Sequence, residues 1–234
     1  MSFASLRREL RAAANPDHAR VARSFFKTGP GQYGEGDQFL GIRVPVLRTF
    51  VRSHQTLSLE DVEKLLQSKW HEERLVALLL LVRRYERGDD AEREAVYALY
   101  FRRMAHIDNW DLVDSSAPYI VGAHLRDRDR APLYTLAQSP SVWERRIAML
   151  ATQHFIRRGE FRDALAIATL LLHDPHDLIH KAAGWILREI GNRDRAAEEK
   201  FLRKHAARMP RTMLRYAIEK FPAELRRRYM TSAP

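Results

Sequence analysis

The sequence predicts an all-α fold made of short helices that repeat along the chain, and three observations carry that expectation. Apolar residues recur three and four apart over most of the 234 residues. Strand-type alternation is absent. A short pattern also returns: Arg74-Leu75-Val76-Ala77-Leu78, Arg146-Ile147-Ala148-Met149-Leu150 and Lys181-Ala182-Ala183-Gly184-Trp185-Ile186 resemble one another. Arg74 to Arg146 is 72 residues, Arg146 to Lys181 is 35, and the midpoint of the first interval is Trp110. A repeat of this length with two helices per unit, and no ankyrin-type turn motif, predicts a HEAT-like helical-repeat solenoid, an α-α superhelix with a concave basic groove. The expected organisation is a single domain over 1–234, with N-terminal helices and a glycine-rich loop in 1–45 and the repeat array in 46–234.

In chain order, 5–14 and 17–28 read as two helices broken at Asn15-Pro16, with Pro16 at the first helical position of the second. Residues 28–41 follow, holding five of the ten glycines. Gly29, Gly31 and Gly34 match G-x-G-x-x-G. A dinucleotide fold is rejected because no strand precedes the match and no βαβ pattern surrounds it. What is left is an ordered loop whose Tyr33, Gln38 and Phe39 are candidates to touch a ligand. Ser58 reads as the N-cap of the next helix, with Asp61 in the reciprocal position. Helical spacing then recurs in 61–66, 74–85, 91–104, 131–137, 146–156, 161–172, 178–190, 196–209 and 212–218. Gly88, Gly159, Gly191, Pro140, Pro175 and Pro210 fall at the breaks.

Composition narrows the function classes. Lys and Arg number 40 against 30 Asp and Glu, a net charge of +10. From Lys181 onward there are 14 basic and 6 acidic residues, so +8 of that charge lies in the last 54 positions. A polyanion is the expected partner, nucleic acid first among them. With no Cys, disulfides, thiol nucleophiles and Cys-based zinc sites are excluded. The N-terminus has no apolar h-region and the longest apolar run, Leu75 to Val82, is eight residues. Neither a signal peptide nor a membrane span is read, and no membrane partner is expected. The expected location is the cytoplasm, with the protein on the nucleoid when bound to DNA. His173, His176 and His180, with Asp174 and Asp177, have the only metal-like spacing, and nothing else completes a set, so no metal is expected. Arg226-Arg227-Arg228 reads equally as a solvated helix face or a DNA contact.

Chemistry concentrates in Asn109-Trp110-Asp111-Leu112-Val113-Asp114-Ser115-Ser116-Ala117-Pro118. On a helix Trp110 and Asp114, four apart, share a face, and an indole beside a carboxylate suits a positive charge. Alternatively Trp110 is a core residue and Asp114 caps the next helix. Asp111 reads as a cap or surface residue. Trp70 and Trp143 precede helices and read as packing between them. The repeat places Trp110, Arg146 and Lys181 in one row, and Asp114, Leu150 and Trp185 one turn on, a slip of one residue being open. Arg145 and Arg188 fall along the same groove. Such a groove would hold phosphates on cations and a flat or cationic partner on indoles. Asp114 would stabilise positive charge developing in a transition state.

Phe26 to Asp37, Gly41-Ile42-Arg43-Val44-Pro45, Asn109 to Asp114, Trp143-Glu144-Arg145-Arg146 and Lys181 to Glu189 together resemble the AlkD-like DNA alkylation-repair glycosylases. These are HEAT-repeat proteins that excise alkylated purines from DNA, and the resemblance covers nearly the whole chain. It implies that Asp114 is the catalytic carboxylate, that Trp110 and Trp185 are the two pocket indoles, and that Arg146 binds a phosphate. Lys181, Arg188, Arg145, Gln38 and Phe39 are the further DNA-contact candidates. The implied partner is duplex DNA with alkylated bases. No cofactor is expected, since no motif for one is present, and a solenoid with its own caps is expected to be a monomer. The implied reaction is loss of 7-methylguanine or 3-methyladenine, already good leaving groups, through an oxocarbenium-like centre, without base flipping. The alternative is a non-catalytic HEAT-repeat scaffold for nucleic acid or protein. A carboxylate among phosphate-binding groups favours the enzyme, since it repels the ligand beside it.

Overall fold

The structure, a computed structural model, describes residues 2–232 and is all-α as expected. It forms two compact units, Met1–Ile120 and Val121–Pro234. Within the first unit, buried carboxylates on one helix hold both the N-terminal helix and the glycine-rich loop.

In the first unit, α1 (Phe3–Ala12) starts on a capping box made by Ser2 and Ser5, and α2 (Pro16–Phe25) on the Asn15 side chain with Pro16 behind it. Both begin and end earlier than the periodicity suggests. Past α2 the backbone turns into the left-handed region at Lys27, φ 55°. Then come α3 (Val44–Ser53), α4 (Leu59–Leu66), α5 (His71–Arg87), α6 (Asp90–Arg102) and the short α7 (Trp110–Asp114). Ser58 caps α4 by accepting the Asp61 amide at 3.1 Å, but Asp61 does not reciprocate; its carboxylate faces Lys64 at 3.5 Å. The unit is built around α5, buried without a break from His71 to Leu81 and packed against α3, α4 and α6. This explains the apolar run in the sequence.

The second unit contains α8 (Ala131–Ala137), α9 (Val142–Ala151), α10 (Gln153–Ile156), α11 (Arg162–Leu170), α12 (Asp177–Gly191), α13 (Arg195–His205), α14 (Arg211–Ala217) and α15 (Ala223–Ser232). Here α12 is the centre, packed on α9, α13 and α14. Arg226, Arg227 and Arg228 are exposed on α15. Among the described residues no helix is long and apolar enough to cross a membrane.

The repeat has a physical frame. Before α5, the Ser68 hydroxyl donates to Glu73 at 2.5 Å and accepts the amide of the N-cap residue Trp70, while Arg74 donates back to the Ser68 carbonyl at 3.0 Å. Before α9, Ser139, Ser141, Glu144 and Arg145 repeat each contact, the last at 2.9 Å. Before α12, Asp174 accepts the His176 amide and His180 bonds the Asp174 carbonyl. Arg74 therefore matches Arg145, 71 residues on and not 72. The expected rows need correction for the same reason. The N-caps Trp70, Asn109, Ser141 and His176 are unevenly spaced, so an even division misplaces the middle helix. Counted from the caps, Asp114, Arg146 and Lys181 share the fifth helical position, Trp110 holds the first, and Trp185 and Leu150 share the ninth.

Candidate active site

The start of α5 carries four consecutive charged or titratable residues, all at most 5 % exposed: His71, Glu72, Glu73 and Arg74. Such groups are buried only with partners. Glu72 accepts the amides of Leu40, Gly41 and Ile42 at 2.8, 2.7 and 3.2 Å, pinning the end of the glycine-rich loop. Gly41 has φ +80° and a Cβ there would lie 2.1 Å from the Asn15 carbonyl oxygen, so only glycine fits. Glu73 takes Arg11 at 2.7 Å and Arg7 at 3.3 Å from α1. Arg74 spans Asp37 at 2.9 Å and Asp108 at 3.1 Å.

His71 lies between two carboxylates. Its Nδ1 is 2.7 Å from Asp37, in the loop, and its Nε2 is 2.8 Å from Asp111, on α7. Burial disfavours charge on the ring, but Asp111 and Asp37 outweigh it and push the pKa up to about 9. Burial likewise works against ionised Asp37, and His71 with Arg74 still holds it below the usual carboxylate range. Asp111 is thus more than a cap: its Oδ1 accepts the first-turn amide of Leu112 at 2.9 Å while its Oδ2 faces the His71 ring. An aromatic column continues from this point. Phe39 stacks on His71 (4.5 Å between centroids) and on Phe26 (5.0 Å), and Phe26 stacks on Trp110 at 5.3 Å. Phe25, 61 % exposed, meets the same indole edge-on at 5.9 Å.

Trp110 and Asp114, one turn apart on α7 and both half-buried, line a cavity of about 570 Å³. Its other polar walls are Arg48 and Arg52 from α3, Arg83 and Glu86 from α5, and Asp111, Ser115 and Tyr119; Val51, Leu79 and Val82 supply apolar surface. Arg83 donates to Gln55 at 2.7 Å. The guanidinium groups of Arg48 and Arg52 are exposed and make no ion pair or hydrogen bond among the described residues. Sequence reasoning missed these three arginines. The available signal was the four-residue spacing of Arg48 and Arg52 on α3, each one position past a buried residue, Leu47 or Val51, but nothing in the sequence sets that face beside α7.

The other expected residues are placed as follows. In the first unit, the Gln38 side chain is exposed while its carbonyl accepts the His71 amide at 2.8 Å. Phe39, at 5 % exposure, stacks between Phe26 and His71 and supports the column. In the second unit, Trp185 is half-buried on α12. Arg146 is 5 % exposed and donates to the Leu178 carbonyl at 2.6 Å. Lys181 pairs with Asp177 at 2.6 Å, and Arg188 with Glu219. Arg145 holds Asp174 at 2.6 Å and the Ser139 and Pro140 carbonyls, as part of the repeat frame.

An indole and a carboxylate on one short helix, in a cavity rimmed by arginines, can hold an anionic backbone beside a developing cation. The fold is similar to that of a solved structure titled "Predicted DNA alkylation repair enzyme from Enterococcus faecalis". The TM-score is 0.68 at 18% identity, covering 90% of this chain and 97% of that one. No curated protein matches. The sequence profile of the family described as "DNA alkylation repair enzyme" matches residues 6–221, which hold α7, the arginine-lined cavity and the repeat frame. The chain belongs to the DNA alkylation repair enzyme family.

Proposed function

We propose that the protein is a DNA glycosylase that hydrolyses the N-glycosidic bond of cationic alkylated purines, 7-methylguanine and 3-methyladenine, in duplex DNA. The observation that supports it is Asp114 beside Trp110 in one cavity with Arg48, Arg52 and Arg83. The arginines hold phosphates, fixing the duplex without reading its sequence. The alkylated base is already cationic and leaves without a general acid. As the bond breaks, positive charge moves to the deoxyribose, where the Asp114 carboxylate stabilises it and orients the attacking water. Trp110 packs on the sugar and lends its π-face to the same charge. Trp185 as second indole and Arg146 as phosphate contact belong to the proposal through the family resemblance; Lys181, Arg188 and Arg145 join as DNA contacts through the repeat, and Gln38 and Phe39 through the glycine-rich loop. The base stays in the stack throughout.

The test is release of free 7-methylguanine and 3-methyladenine from methylated duplex DNA in EDTA, beside Asp114→Asn. The expected loss in the variant is on the order of 10²–10³ in rate. Release that survives the substitution removes Asp114 from its role. No release by either protein, with salt-sensitive DNA binding intact, favours a non-catalytic scaffold.

A further inference from the structure

We propose that His71 is a positioning residue of the candidate site: bridging Asp37 and Asp111, it ties the glycine-rich loop to α7 and so sets Trp110 and Asp114 in the cavity. It touches none of the reacting atoms, and the activity readout of this inference rests on the glycosylase reading.

The geometry fixes the ring's protonation. An ionised carboxylate only accepts hydrogen bonds, and each ring nitrogen lies within 2.8 Å of a carboxylate oxygen. Both nitrogens therefore carry hydrogen and the ring is an imidazolium. This cation stands at the first position of α5, the end of a helix that disfavours positive charge, and it is 2 % exposed. It persists there because two carboxylates reach it from two different segments. The charged groups around it are Asp37 from the loop, Asp111 from α7 and Arg74 on its own helix, which holds Asp37 and Asp108 in turn. The loop is also bonded to the α7 N-cap, where the Asn109 amide nitrogen donates to Asp37 at 3.4 Å.

Two features link the bridge to the site. Asp111 is one residue from Trp110 and three from Asp114, so its carboxylate sets the rotation of a helix only five residues long. The aromatic column running from His71 through Phe39 and Phe26 ends on the Trp110 ring. Loss of the cation releases α7 from α5 and unseats the base of that column. Groups that orient a site without entering it typically cost 10- to 100-fold when removed, and a misplacement of about 1 Å costs a similar factor.

The experiment pairs nitrogen-detected NMR of the His71 ring with single-turnover base release by wild type and Asp111→Asn. Asp111→Asn keeps the Asp37 bond and sits at a half-buried position, and its fold is checked by circular dichroism. At pH 7 the expected spectrum is that of a ring protonated on both nitrogens, titrating near 9. Asp111→Asn is expected to lower the release rate about 10- to 100-fold with Kd for methylated duplex nearly unchanged, and to move the alkaline fall in rate to lower pH. A His71 ring neutral at pH 7 overturns the proposal, and so does a variant within twofold of wild type. If wild type releases no base, amide exchange decides. Faster exchange at Val113 and Ser115 in Asp111→Asn, with α4 unchanged, upholds the tie, and unchanged exchange sinks it.

Discussion

The starts of α5 and α9 are two copies of one device, and their differences show where a repeat stops being scaffold. Both use a serine two residues before the N-cap, a glutamate at the third helical position and an arginine at the fourth that reaches back to the serine carbonyl. At the first two positions α9 has Val142 and Trp143, where α5 has His71 and Glu72. Those two residues hold the glycine-rich loop and α7. Arg74 likewise spans two carboxylates from the loop and the α7 lead-in, while Arg145 reaches one carboxylate, Asp174, beside its carbonyl bonds. The frame is common to both helices, and the additions at α5 are what carry the candidate site.

The largest test of that contrast is a pair of truncations at the fourth position. Arg74→Ala leaves Asp37 and Asp108 without their cation beside a buried imidazolium, and is expected to cost about 3–5 kcal/mol in urea unfolding. Arg145→Ala removes one carboxylate pair and two carbonyl bonds at a more exposed site, with an expected cost of about 1–3 kcal/mol. Base release should fall with Arg74→Ala at concentrations where the protein stays folded. Equal costs for the two would mean that the start of α5 bears no special load.

A second contrast sets paired burial against unpaired burial. His71 is charged and held by two carboxylates. Glu198, 2 % exposed on α13 with Oε1 unbonded, has no such partner, and burial pushes its pKa up to about 8. Gly191 makes room for it, since a Cβ there would lie 1.7 Å from its Oε2. Both folded-state values are raised, so both groups bind protons more tightly in the folded state and both favour acid over alkali. The His71 contribution is full below the unfolded value of 6.5 and is lost as pH rises through about 9. The Glu198 contribution is full below 4.5 and is lost as pH rises through about 8. Glu198→Gln should therefore raise Tm at pH 8 and flatten the Tm profile over the lower window. His71→Gln should lower Tm at pH 6.5 and flatten the upper one. Scans of Tm against pH for the two variants separate these windows, and a Glu198→Gln profile parallel to wild type would return Glu198 to an ordinary carboxylate.

The same contrast shows what the sequence made legible. Periodicity and the breaks at Gly and Pro located most of the helices, because burial of one face dictates both, but no periodic stretch was read over α3 or α15. The pairing of Trp110 with Asp114 was readable from their spacing, because a helix puts residues four apart together. The repeat interval was readable, but its register was not, since caps and not equal spacing set it. The work of His71, Asp111 and Phe39 was invisible. Each depends on contacts across 13 to 40 positions, His71 to Asp37 and Asp111 being 34 and 40 apart, and no local pattern encodes those distances. Arg145 and Arg146 illustrate the same limit. Adjacent and alike in sequence, they differ in the structure because one faces Asp174 and the other the Leu178 carbonyl.

The smallest expected effect sharpens the comparison at the caps. In α9 the Ser141 hydroxyl accepts the Glu144 amide, a cap supplied by the helix's own sequence. In α5 the N-cap residue Trp70 makes no side-chain cap bond, and the first free amide, of His71, is taken by the Gln38 carbonyl of the glycine-rich loop at 2.8 Å. Ser141→Ala should cost about 1 kcal/mol and leave base release unchanged, the ordinary loss of one cap. Gly41→Ala has no side chain to lose, yet its Cβ would enter the Asn15 backbone and displace the loop that caps α5. Its cost should exceed that of Ser141→Ala and include a loss of base release. Matched urea curves and release rates for the two variants decide the point. If Gly41→Ala matched Ser141→Ala in stability and kept full release, α5 would hold its own start as α9 does, and the loop would be no part of what positions α7.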